Sequence, residues 1–103
     1  PVVPTPDPWP GIESMVTRAD PFSNGEEMLW PEQAIDLATA IKIFTINSAI
    51  ANKVGESSGS LEVGKDADFL VLDRHIFDVP ITDVGETVIL MSVVGGREII
   101  NKL

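Results

Sequence analysis

Gly59-Ser60-Leu61-Glu62-Val63-Gly64-Lys65-Asp66-Ala67-Asp68-Phe69-Leu70-Val71-Leu72-Asp73 decides how this chain is read. Phe69 to Leu72 is an unbroken apolar run between two carboxylates. A run of that length is strand-sized, and continuous apolarity predicts a strand covered on both faces. Gly64 marks a turn into the segment Ala67–Asp73. Downstream, Thr87–Val94 and Arg97–Ile100 are again β-rich, and the pair Gly95-Gly96 joins them. Two such runs across a diglycine predict a hairpin with a tight turn. Glu56 to Ser60 is a polar loop, and another loop, containing Pro80, separates the first strand from the hairpin.

Upstream the pattern changes to helix. Pro31 suits a first helical position and Glu32 the positive helix end. Ala34, Leu37, Ala38, Ile41, Phe44 and Ala49 recur at helical spacing. Thr45-Ile46-Asn47-Ser48 is β-branched and cap-like, so two helices are predicted, Pro31–Phe44 and Asn47–Val54, with Gly55 closing the second as its C′ residue. Seven of the eight prolines lie between Pro1 and Pro31. That segment is predicted to be largely irregular, apart from a short helix over Gly11–Thr17 with Ile12, Met15 and Val16 on one face. Asn24-Gly25 is read as a turn. The predicted class is α+β, two helices followed by about three strands. The Pro-rich segment offers Trp9, Trp30, Phe22, Ile12 and Met15 with no evident element to cover them. They pack back on the helices or against protein beyond this chain.

With 103 residues the chain is one domain at most. It has no apolar run of about 18 residues, so no membrane-spanning helix is expected. Seven Lys and Arg stand against 16 Asp and Glu, a net charge of −9. Without a basic stripe to neutralise phosphates, nucleic acid is not an expected partner, nor is an anionic membrane surface. The absence of cysteine removes disulfides, thiolate catalysis and Cys-built zinc sites, and sets a cytoplasmic location as the default expectation.

Candidate chemistry is sparse. His75, the one histidine, follows Asp73-Arg74 in a polar stretch and reads as a surface residue. An enzyme built on His75 with Asp73 or Asp78 is the least supported reading. Asp66, Asp68, Asp73, Asp78 and Asp83 lack the spacing of a calcium loop, and bracket the strand as turn carboxylates do. Gly59 and Gly64 with Lys65 mimic a phosphate loop, but Asp66 stands where Ser or Thr is needed, and a strand rather than a helix follows. Ser57, Ser58 and Ser60 sit in no nucleophile elbow. Lys42, Lys53 and Lys65 show no sign of the burial that a Schiff-base lysine needs. Trp9 and Trp30 read equally well as pocket walls or as core anchors. No catalytic, metal or substrate-binding residue is therefore assigned to this chain.

The stretch from Gly59 to Asp73 resembles the C-terminal signature of the metal-dependent amidohydrolase superfamily: a Gly, a short apolar step, Gly-Lys, Ala-Asp and an apolar strand ending in Asp. Ala38 to Ala51 resembles the helical stretch before that signature, and Val88 to Ile99, with Val94-Gly95-Gly96-Arg97, its closing hairpin. Pro8-Trp9-Pro10-Gly11-Ile12-Glu13-Ser14-Met15-Val16-Thr17-Arg18 with Asp20-Pro21 is similar to the amidohydrolase-3 branch. The resemblance implies a (β/α)₈ barrel with a metal site at the C-terminal ends of its strands, plus a small β-sandwich assembled from both chain ends. It implies a metal-activated water that hydrolyses a C–N bond. The family's ligands, a His-x-His pair, a Lys or acidic bridge, two further His and a last-strand Asp, match no position here.

By the same resemblance, residues 1–55 are the last loop and helices of the barrel, and 56–103 are the C-terminal sandwich segment. The divalent metal, zinc by expectation, belongs to the full-length protein. The implied partners are the barrel and the N-terminal sandwich strands, with self-association through apolar surface if these are missing. The rival expectation is a stand-alone acidic module that binds a partner protein and has no catalytic activity.

Overall fold

A computed structural model describes residues 7–19 and 29–103. The chain is α+β, and it divides into two compact units. Of the described residues, one comprises 7–19, 29–40 and 75–87, the other 41–74 and 88–103.

In the first unit, helix α1 runs from Pro8 to Thr17. It starts three residues before the predicted helix, and the reason is local. Pro8 and Pro10 lie in the first turn, where a missing N–H costs nothing and a fixed φ is already helical. The Asp7 carboxylate caps that turn by accepting the Trp9 N–H at 3.1 Å. Arg18 ends the helix in the left-handed region (φ 59°) and donates its N–H to the Ser14 carbonyl. Residues 81–86 form a 3-10 segment that packs against α1. Between them Trp9, Ile12 and Val84 are buried. The sequence offered no cover for Trp9 and Ile12, and this segment supplies it. Trp30 is 62% exposed, as is Leu29. Asn24-Gly25 lies outside the described residues, as does Phe22.

The predicted helices resolve differently. Pro31–Gln33 is a 3-10 turn. Helix α2 spans Leu37–Lys42 behind Asp36, whose carboxylate accepts the Thr39 N–H at 2.7 Å. Ile43–Asn47 is a π-helical stretch, and α3 spans Ser48–Ala51. The expected break at Thr45–Ser48 is thus a widened turn. Thr45 Oγ1 donates to the Ile41 carbonyl at 2.7 Å. The i→i+5 pattern takes up an extra residue, which leaves Ile46 and Ala49 inward and Phe44 exposed. Lys53 adopts the positive φ (64°) expected of Gly55. Gly55 is needed for space instead, because a Cβ there would lie 2.8 Å from Ile50 Cγ1.

In the second unit, β1 (Phe69–Leu72), β2 (Ile89–Val94) and β3 (Arg97–Asn101) form an antiparallel sheet in the order β1-β2-β3. The hairpin is as predicted, with positive φ at both Gly95 (58°) and Gly96 (78°), the geometry of a type I′ turn. Phe69 pairs with Val93 and Val71 with Met91, which sets these four on one face. Leu70, Val94 and Ile100 fall on the other. The first strand was expected to be covered on both sides, yet Phe69 and Leu70 are exposed, as are Val94, Ile99 and Ile100.

Candidate functional site

The signature residues have structural occupations. Asp68 Oδ1 accepts the Gly95 N–H at 2.7 Å, and the Ala67 carbonyl accepts the Gly96 N–H at 2.9 Å. Together they hold the hairpin turn against the start of β1. Gly59 has φ +94°, and a Cβ there would lie 2.7 Å from Ala49 Cβ and 3.0 Å from Ile46 Cα. The glycine lets the loop press on the helix. Lys65 Nζ donates to Ser60 Oγ at 2.8 Å and meets Glu62 at 2.9 Å, while Ser60 Oγ also donates to Glu62. These bonds hold the Glu62 carboxyl below its usual range. Asp66 donates its N–H to the Ser57 carbonyl at 2.8 Å, and Ser57 and Ser58 donate to the Val54 carbonyl. No phosphate cradle is formed here.

Asp73 lies against Arg74, at 2.8 Å from Nε and 2.6 Å from Nη2, and accepts the Val88 N–H at 3.0 Å. The guanidinium first, and that amide second, hold its carboxyl down at about 2. Its role is to fasten the end of β1 to the start of β2. His75 Nδ1 lies 3.7 Å from Asp78 Oδ2, with both side chains more than two-thirds exposed. The imidazole also meets the Phe77 ring edge-on at 6.2 Å. Asp78 donates its N–H to the His75 carbonyl, and Asp83 donates its own to the Pro80 carbonyl, as turn residues do. Lys42 lies in the last turn of α2, and Lys53 in the turn after α3.

Among the described residues, no group of three or more His, Cys, Asp or Glu could hold a metal ion. The donor set of the described residues therefore does not fit the metal that the resemblance implies. No helix of the described residues is long and apolar enough to cross a membrane.

The most unusual polar group is one that sequence reasoning passed over. Glu13 is 6% exposed, and its Oε1 accepts the Gly85 N–H at 3.0 Å. Burial, the largest influence, pushes its carboxyl up; the Gly85 bond opposes this, and Glu86 and Asp83 reinforce it. Trp9, one helical turn before Glu13, buries its Nε1 without a hydrogen-bond partner. The available signal was a Glu four residues after a Trp on an apolar helix face.

A family model described as the amidohydrolase family matches residues 1–100. An N-substituted formamide deformylase from Arthrobacter pascens is 38% identical over 68 residues, 66% of this chain and 12% of that protein. An imidazolonepropionase from Picrophilus torridus is 54% identical over 39 residues, 38% of this chain and 10% of that protein. The crystal structure of an amidohydrolase from Thermotoga maritima superposes on 68% of this chain and 17% of its own, with a TM-score of 0.56 and 28% identity. The chain thus spans about a tenth of the length of the curated relatives it matches.

Proposed function

We propose, since this chain belongs to the amidohydrolase family, that it is the C-terminal part of a metal-dependent hydrolase of C–N bonds other than peptide bonds, and that its own part there is structural. Residues 1–55 are the last loop and helices of the barrel, and 56–103 close the composite β-sandwich. The divalent metal and its water-activating chemistry belong to segments beyond this chain, because the residues described here do not fit the ion. The partners are the barrel and the N-terminal sandwich strands of the same protein, and the location is cytoplasmic.

One observation carries this reading. The three-stranded sheet has apolar residues on both faces, with Phe69 exposed on one and Leu70, Val94 and Ile100 on the other. Each large side chain gains roughly 1.5–3 kcal/mol on full burial. A contiguous exposed apolar surface marks an interaction site. The relatives, several times longer, have the additional chain to cover it.

The test compares the whole reading frame with the 103-residue chain, using an N-substituted formamide as the first substrate. Turnover is expected from the longer protein and is expected to be lost on chelation. Metal-dependent turnover by the 103-residue chain alone would overturn the structural role.

A further inference from the structure

Glu13 is the charged residue most deeply buried among those described, and its surroundings are one-signed. It projects from the middle of α1 toward the 3-10 segment 81–86. That segment presents the Gly85 N–H at 3.0 Å and carries Asp83 and Glu86, both of which raise the cost of a charged Glu13. The fit is close. A Cβ on Gly85 would stand 2.9 Å from Glu13 Oε1 and 3.5 Å from Pro10 Cα. On α1 itself, the neighbour one turn back is Trp9, whose buried indole N–H has no partner. The charged residues at the helix ends, Asp7 and Arg18, are engaged with the Trp9 N–H and the Leu29 carbonyl. Further bonds of α1 involve neutral groups: Ile35 N–H donates to the Met15 carbonyl at 3.1 Å, Ser14 Oγ to the Ala19 carbonyl at 2.9 Å, and Ala19 N–H to Thr17 Oγ1 at 3.1 Å. No described cation faces the carboxylate to compensate its charge.

We propose that Glu13 and the Gly85 amide form a proton-dependent latch, which seats α1 on the 81–86 segment when Glu13 is protonated and loosens it when Glu13 is ionised. The physical cause is the penalty for a desolvated anion beside two like charges, set against one amide hydrogen bond. A carboxyl raised above its free value favours the docked state below the free value. That advantage is lost as pH rises through the docked value. The latch works within one unit of the fold, between residues 72 positions apart in sequence. This proposal does not depend on the hydrolase reading.

The Gly85 amide reports the latch directly. In a pH titration followed by NMR, its proton shift is expected to titrate with a midpoint raised from the ordinary glutamate value. Its protection against exchange, corrected for the intrinsic pH dependence, is expected to fall severalfold across the same interval. Glu13→Gln keeps the side chain's length and an accepting oxygen, and is expected to abolish both responses while leaving Gly85 protected at high pH. Glu86→Gln, a change at an exposed position, is expected to lower the midpoint and keep the titration. A Gly85 shift that is flat with pH in the unaltered protein would overturn the latch, as would an unchanged titration in Glu13→Gln.

Discussion

In the unit that contains α1, Trp9, Ile12, Ile76 and Val84 are buried; in the unit that contains the sheet, Ile50, Phe69, Leu70, Val94, Ile99 and Ile100 stand exposed. Both units are drawn from the same acidic chain, and both carry apolar residues at regular spacing. In the first, a helix and a 3-10 segment 72 residues away in sequence close on each other. In the second, turn chemistry fixes a three-stranded ladder with apolar side chains on both faces. Backbone hydrogen bonding can complete such a ladder without covering it. The contrast separates what local geometry achieves from what burial requires.

The largest effects should fall in the first unit. Ile12→Ala deletes a nearly fully buried side chain and is expected to cost about 2–5 kcal/mol by chemical denaturation. Ile99→Ser, at an exposed sheet position, is expected to stay within about 0.5 kcal/mol in the 103-residue chain. A comparable loss at both sites would erase the contrast. In the longer protein the Ile99 substitution is expected to become costly, which sharpens it.

Gly59→Ala in the second unit comes next. It sets a Cβ 2.7 Å from Ala49 Cβ at a backbone with φ +94°, for an expected loss of about 1–3 kcal/mol. Gly64→Ala has a similar φ, +92°, with nothing within 4 Å, and is expected to lose less. Equal losses at the two glycines would show that backbone strain, rather than the approach of the loop to the helix, selects Gly59.

A smaller effect is expected from Asp73. Its carboxyl sits at about 2 against a free value of 3.8, through Arg74 and the Val88 amide. A lowered value means stability that is present above 3.8 and lost as pH falls toward 2. The midpoint of thermal unfolding should decline over that interval, and Asp73→Asn should flatten the decline. His75→Ala, at a side chain 68% exposed, is expected to change stability by less than about 0.5 kcal/mol.

What was legible in the sequence was local. Gly95-Gly96 announces a type I′ turn because both positions need positive φ, and Phe69–Leu72 announces its strand by composition. The start of α1 was misplaced because prolines that break a helix interior are welcome in its first turn. The π-helical stretch was read as a break because β-branched residues at Thr45 and Ile46 disfavour helix in general, whereas here the widened turn accommodates them. The Glu13–Gly85 contact left one local trace, a Glu four residues after Trp9. Its partners are distant in sequence, and a glutamate in an amphipathic helix ordinarily faces water. The signature from Gly59 to Asp73 was recognisable before its reasons were. The structure supplies them as a close approach at Gly59, a side-chain bridge at Lys65 and a turn lock at Asp68.

The intact mass of the native protein, isolated from its source cells, tests the central claim most directly. On the proposed reading the remainder of an amidohydrolase covers the sheet, and the native polypeptide is several times heavier than 11.1 kDa. A native species of 11.1 kDa, monodisperse in solution, would contradict that reading and favour the stand-alone acidic module.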